Sequence, residues 1–454
     1  MDNHVFSLLI TGGRLVTPSG VIEADVAVHH GKIAAIGSAG SLKGAEEVVC
    51  AAGKYVLPAV VDAHVHFNDP GLPEREDMTT GTSAAAAGGV GTVIDMPLSG
   101  APAVTSPETL ELKKKAAAVR AVVDYALWGG LVGDNVAQLE EMSRRGAAAF
   151  KAFTCFAGSD FPYATPDVLY RGMAEAKRLG LLIGVHCEDE ALTSALEKRA
   201  RSEGRQSVRD FLDAHSPLTE LLAVDMVLDM ARATGARVHI CHATIPEAVD
   251  RVRAARGASV TVETCPHYLT FSEEDLERLQ GILKCTPPVR SKEAVEGLWK
   301  RVFDGSVDMI SSDHSPSTLG QKGPASGNFW DAWGGAQGVQ TMLPALYTEG
   351  VIKRGLPIER LVQLISTNPA RIFGLYPRKG ALRIGSDGDL TIFDPQAEWT
   401  LSPEMLFYKN KHSPYLEMTF RGRVDATYVR GRAVFRDGRV LALPGSGSML
   451  RPGL

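Results

Sequence analysis

Residues 57–67 read LPAVVDAHVHF, a short apolar run that ends in two histidines two positions apart. In a strand, side chains at i and i+2 share one face, so His64 and His66 point the same way at its C-terminal end. Seven further runs of this texture follow: GTVIDMP (91–97), VDYALWGG (123–130), AAAFKAF (147–153), GLLIGVHCE (180–188), ARVHICHA (236–243), ASVTVETCPHYL (258–269) and VDMISSDHS (307–315). Between them lie polar-apolar segments with the 3.6-residue period of amphipathic helices, among them 106–119, 164–180 and 218–235. Ser106-Pro107 and Thr165-Pro166 place an N-cap residue before a proline at the first helical position. Alternating strand and helix, repeated eight times, predicts an α/β fold of the closed (β/α)8 TIM-type barrel class rather than an open sheet.

Outside that middle the texture changes. The stretches 5–17, 24–38 and 46–58 are β-rich and split by Gly12-Gly13 and His30-Gly31, read as turns. The same texture returns in 388–394, 418–435 and 437–442, with Asp437-Gly438 as hairpin-turn residues. A small β-sandwich domain built from both chain ends is expected, over 1–57 plus 381–454, flanking a catalytic barrel over 58–380.

Composition bounds the function. The chain has 454 residues, 44% hydrophobic and 22% charged, with 48 Lys plus Arg against 53 Asp plus Glu for a net charge of −5. That balance argues against a nucleic-acid surface, and the apolar content against disorder. No uninterrupted apolar run is long enough to span a membrane. The six cysteines are scattered without a CxxC pair, and the N-terminal stretch does not read as a signal peptide, so a reducing cytoplasm is expected.

The polar residues carry the chemistry. His64, His66, Lys151, His186, His242 and Asp313 all fall at or near C-terminal strand ends, where barrel enzymes build their sites. Four imidazoles and a carboxylate make a credible set of divalent-metal ligands. Burying so many polar groups together is costly without a ligand. A lysine beside a dication must be neutral, displaced or chemically changed. Carboxylation of Lys151 by carbon dioxide would give a carbamate with two bridging oxygens; capping by an acidic neighbour is the alternative. Among the other histidines, His29-His30 precedes a turn, His215 falls in a helical linker, His4 and His412 are expected at the surface, and His239 is expected to face the helix layer. His267 and His314 lie near the mouth without assigned roles.

In this order, DAHVHF (62–67), FKAF (150–153), VHCED (185–189), ICHA (240–243) and SDHSP (312–316) resemble the cyclic amidohydrolases of the amidohydrolase superfamily: hydantoinases, dihydropyrimidinases, dihydroorotases and allantoinases. The resemblance covers essentially the whole chain, including 367–394 between barrel and β domain. It implies a binuclear site with His64, His66 and Asp313 on one ion, His186 and His242 on the other, and Lys151, as N6-carboxylysine, bridging them. Zinc is the first choice of ion, with Mn, Co or Fe(II) as alternatives. It also implies Asp313 as general base and acid, a small-molecule cyclic ureide substrate, and a homotetramer.

Within the family, GGVGTVIDMPL (88–98), FWDAWGGAQGVQTMLP (329–344) and KNKHSPY (409–415) are most similar to allantoinases, which implies hydrolysis of allantoin to allantoate. Asn68 stands where dihydroorotases carry an arginine. Phe156 and Trp333 stand where D-hydantoinases carry a tyrosine and an asparagine. Thr286 replaces the usual serine in KCTPPVR (284–290), and Ser99 departs from the MPLN common in allantoinases. Asn68, Thr286, Ser315 and Gly335 are the candidate substrate contacts. A hydantoinase or dihydropyrimidinase is the rival reading, and a non-catalytic scaffold that kept the barrel is the third.

Overall fold

The computed structural model describes residues 5–323 and 326–453; His4, expected at the surface, lies outside them. The chain opens with β1 (Phe6–Thr17), β2 (Gly20–His29), β3 (Lys32–Ser38), β4 (Ala45–Cys50) and β5 (Tyr55–Pro58). Eight strands follow: β6 (Val60–Val65), β7 (Val90–Asp95), β8 (Asp124–Gly130), β9 (Ala147–Phe153), β10 (Leu182–His186), β11 (Arg237–Ile240), β12 (Ser259–Thr264) and β13 (Met309–Ile310). They pair in parallel in sequence order. The barrel closes where Val65 bridges His314 and the His66 N–H donates to the His314 carbonyl at 2.7 Å. Asp62 reinforces the seam by accepting the Ser312 N–H at 3.0 Å, and burial pushes its carboxyl up to about 7.

Small apolar side chains fill the barrel's lower interior: Val61, Ala63, Ile94, Ala126, Ala149 and Leu182 pack with Trp128. Phe373, Leu375 and Leu450 join the same cluster. Helices such as Pro107–Arg120, Pro166–Leu179 and Pro217–Thr234 cover the outside. Each starts with a proline in its first turn, whose missing N–H is no loss there. No helix of the described residues is long and apolar enough to cross a membrane.

The chain ends build the second layer. β1–β5 combine with β14 (Leu390–Thr400), β15 (Thr419–Val429), β16 (Arg432–Arg436) and β17 (Arg439–Val440) into a nine-stranded, mostly antiparallel sheet. Its own core joins Leu8, Ile10, Val26 and Val56 to Leu390, Ile392 and Tyr428. Asp437 and Gly438, at φ 51° and 74°, form the predicted two-residue hairpin turn, with Arg436 opposite Arg439. Gly12-Gly13 is not a turn. It is a bulge inside the single strand β1, where the register shifts and the parallel partner changes from β4 to β5. All six cysteines are free, and every one except Cys50 is buried.

Candidate active site

The site lies at the C-terminal mouth of the barrel. β6 delivers His64 and His66, with ring centres 5.2 Å apart. Across the closure, the Asp313 carboxylate lies 3.3 Å from His64 Nε2 and 3.1 Å from His66 Nε2. β10 ends on His186, whose Nδ1 is 3.1 Å from Nε2 of His242, just beyond β11. His242 also neighbours His64, at 5.4 Å between ring centres. All five side chains are buried or nearly so. His242 and Asp313 have left-handed φ values of 38° and 46°. Such strain in non-glycine residues costs of order 1–3 kcal/mol and gathers at functional sites.

Carboxylates behind the ring hold the imidazoles in place. His64 Nδ1–H donates to Glu263 at 2.6 Å, leaving Nε2 to face Asp313. Glu188 sits 2.8 Å from His186 Nε2 and 2.7 Å from His215 Nδ1, so His186 turns its Nδ1 toward the mouth. A partner on one ring nitrogen fixes the tautomer and aims the other lone pair, as in metal-binding histidines. Burial opposes charging, and pulls His64, His186 and His242 below the ordinary histidine range. Burial alone would raise the Asp313 carboxyl, but the neighbouring His64 and the hydrogen bond from His66 hold it well below the usual carboxylate range.

Lys151 is fully buried, and its Nζ has no hydrogen-bond partner. The amine lies over the Phe153 ring, 5.1 Å from its centre, and that ring itself stacks on His186. No acidic neighbour caps the amine among the described residues. His64, His242 and Asp313 present donor atoms within 4.8 Å of one another. Neutral imidazole nitrogens, a carboxylate and an orphaned amine form a donor set of the type that suits divalent metal ions.

A cavity of about 660 Å³ opens above these residues, a size that suits a small molecule. Thr286, Ser315 and Gly335 line it; Asn68 does not. Asn68 is buried beneath, donating its Nδ2–H to the Ser99 carbonyl at 2.6 Å. Gly335 has its N–H on the Lys284 carbonyl and its own carbonyl on Lys322 Nζ, and the Ser315 N–H is taken by Ala336. A Cβ at Gly335 would fall 2.4 Å from Ser315 Oγ, so this close approach requires glycine. Phe156 and Trp333 stand on the cavity wall.

Several residues lie elsewhere than the sequence reading put them. His215 does sit in the link between two helices, Val208–Ala214 and Pro217–Thr234, but that link also brings it to the cavity lining, against Glu188. His412 is buried, its Nε2–H donating to the Ser317 carbonyl at 2.8 Å. His239 is fully buried, with Nε2 3.4 Å from Glu263 and its ring beside Phe373 of the barrel interior, so it does not face the helices. Burial pulls His267 down to about 4. Glu188 and Glu263 were missed altogether. The available signals were a glutamate two residues past His186 and a lone carboxylate within the strand SVTVET.

The amidohydrolase family profile matches residues 55–434. The chain belongs to the amidohydrolase family. An allantoinase of Rubrobacter xylanophilus is 45% identical over 98% of each chain. An allantoinase of Solibacter usitatus is 40% identical over 98% of this amidohydrolase and 96% of its own length. Among solved structures, the L-hydantoinase (dihydropyrimidinase) from Arthrobacter aurescens superposes with a TM-score of 0.95 at 34% identity, over 98% of this chain and 99% of that one. The family, its barrel and the sheet from both ends agree with the resemblance carried by the five sequence motifs.

Proposed function

We propose that this amidohydrolase opens the hydantoin ring of allantoin by hydrolysis, giving allantoate. The observation that carries the reading is the convergence of His64, His66, His186, His242 and Asp313 at the cavity floor, with the unpartnered amine of Lys151 buried beside three of the imidazoles. The full-length similarity to allantoinases selects the substrate. His64, His66 and Asp313 would hold one divalent ion and His186 and His242 a second. Lys151 would complete the ligand set as a carbamate, its amine adding to carbon dioxide with loss of a proton. When bound, such ions, zinc in the first place and Mn, Co or Fe(II) otherwise, would lower the pKa of water and provide Lewis acidity toward the scissile carbonyl.

The chain's own groups do the rest. Asp313 takes the proton of the attacking water and returns it to the departing ring nitrogen, so the C–N bond breaks without releasing an amide anion. Thr286 and Ser315 border the space for the ring. Phe156 brings no hydrogen-bond donor to the carbonyl, which leaves its polarisation to the ions. A homotetramer in a reducing cytoplasm completes the proposal.

The L-hydantoinase neighbour supports a second reading, a hydantoinase or dihydropyrimidinase on the same floor. Hydrolysis of allantoin, hydantoin, dihydrouracil and dihydroorotate by protein reconstituted with Zn, Mn or Co separates them. We expect kcat/KM for allantoin to lead by at least about tenfold, or about 1.4 kcal/mol. A lead for hydantoin or dihydrouracil would replace the substrate, and no turnover with metal bound would leave a non-catalytic scaffold.

A further inference from the structure

The loop after β6 brings Arg75 to the cavity wall. Its backbone is fixed on both sides: the Arg75 N–H donates to the Leu72 carbonyl at 3.1 Å, and Asn410 Nδ2 donates to the carbonyls of Glu74 and Arg75. The guanidinium lies over the Trp333 ring, 4.1 Å from its centre. Nε of Arg75 is buried and has no hydrogen-bond partner. A guanidinium stacked on an indole keeps its planar fork in one orientation, and a buried N–H without an acceptor favours any ligand that supplies one.

The cavity lining also includes Asp160, within charge range of Arg75, and Glu190 and Glu197, which already accept from the Phe156 N–H and pair with Arg201, respectively. An anionic substituent would meet those carboxylates. A neutral urea would not: its carbonyl accepts from a guanidinium, and its N–H groups suit carboxylate neighbours. We propose that Arg75, oriented by Trp333, is the specificity residue that donates to the exocyclic ureido carbonyl of the substrate. This inference rests on allantoin as substrate, since plain hydantoin lacks that group. It assigns Arg75 a role in choosing the substrate and none in the bond-breaking step.

The test compares Arg75→Met, which keeps length but removes the donors, and Arg75→Lys, which keeps charge but loses the fork. Both are assayed as metal-loaded protein, with metal content and circular dichroism measured to verify folding. For Arg75→Met we expect kcat/KM on allantoin to fall roughly 10- to 100-fold, the range for losing a hydrogen bond to a charged group. Inhibition of allantoin hydrolysis by hydantoin should stay within about twofold of the wild type, because hydantoin has no ureido group for Arg75 to hold. Arg75→Lys should recover part of the loss. Equal losses for allantoin and hydantoin, or no loss, would overturn the role of Arg75. So would a wild-type preference for hydantoin-5-acetate over allantoin that Arg75→Met abolishes, because the ligand would then be a carboxylate. Failure of the wild type itself to hydrolyse allantoin refutes the substrate instead, a result read before any variant is made.

Discussion

A buried primary amine with no hydrogen-bond partner is expensive to keep, by several kcal/mol if it is charged. Lys151 is such a group, and it stands among the imidazoles of His64, His186 and His242. Conversion to a carbamate would turn that burden into an anionic ligand. Lys151→Ala is therefore expected to purify with less metal and to lose activity by more than about 100-fold, beyond what removal of an outer partner of a metal ligand usually costs. A short carboxylic acid such as acetate or propionate should restore part of both, measured by elemental analysis and by turnover. Full metal content and activity in the variant would refute the carbamate. The ring residues were legible in the sequence because each sits at the end of an apolar run, where strand geometry alone fixes which way it points. Glu263 was not legible in the same way. Its bond to His64 spans 199 residues, and only closure of the barrel brings the two together. His215 and Arg75 were hidden for the same reason, since loops place them and no periodicity announces a loop's direction.

Elements were read more reliably than their ends. All eight barrel strands were foreseen, yet β13 pairs through only two residues, Met309 and Ile310, before the chain turns aside to present Asp313. Caps show how local chemistry separates similar motifs. Ser106 caps the helix Pro107–Arg120, its Oγ accepting the Thr109 N–H while Thr109 Oγ1 accepts the Ser106 N–H. Thr165 precedes a proline in the same way, but its hydroxyl goes to the Asp167 side chain and caps no backbone N–H. We expect Ser106→Ala to cost about 1 kcal/mol in denaturant unfolding and Thr165→Ala only a few tenths. Equal costs would show that both hydroxyls act through something other than capping. The segment Phe329–Gly335 has no regular structure beyond one short turn, and two buried ammonium groups define its shape. Lys284 Nζ donates to the carbonyls of Phe329, Trp330 and Ala332, and Lys322 Nζ to those of Lys284, Trp333 and Gly335. No sequence pattern marks a lysine that holds a loop through its carbonyls.

At the scale of the whole molecule, barrel and sheet are joined by buried charge. Lys379 Nζ lies 2.7 Å from Asp124 of β8, 3.0 Å from Asp387 and 2.6 Å from Asp389, while Arg430 pairs with Asp124 from the sheet side. Removing one partner of a buried pair strands the others, so Lys379→Met should lower stability by about 3–5 kcal/mol, seen as an earlier denaturant midpoint. An unchanged midpoint would mean that the three carboxylates relax into water. Burial alone would raise Asp387, but Lys379 and Lys32 hold it below the ordinary aspartate range. The unfolded chain therefore binds this proton more tightly. The stabilisation from Asp387 is present above about pH 4 and is lost as pH falls through the lower folded value. Asp387→Asn should be less stable at neutral pH and should show a flatter stability profile below about pH 4; parallel profiles would exclude Asp387 as a source of acid sensitivity.

The sheet drawn from both ends has a consequence in time. Lys32 meets Asp387 across 355 residues, and β5 has no β14 to pair with until the chain has grown past the whole barrel. At ordinary ribosomal rates of about 5–20 residues per second, the first strands wait roughly 20 to 70 s for their partners. For that interval the nascent chain carries an open β-edge, so the demand for a chaperone falls on its earliest residues.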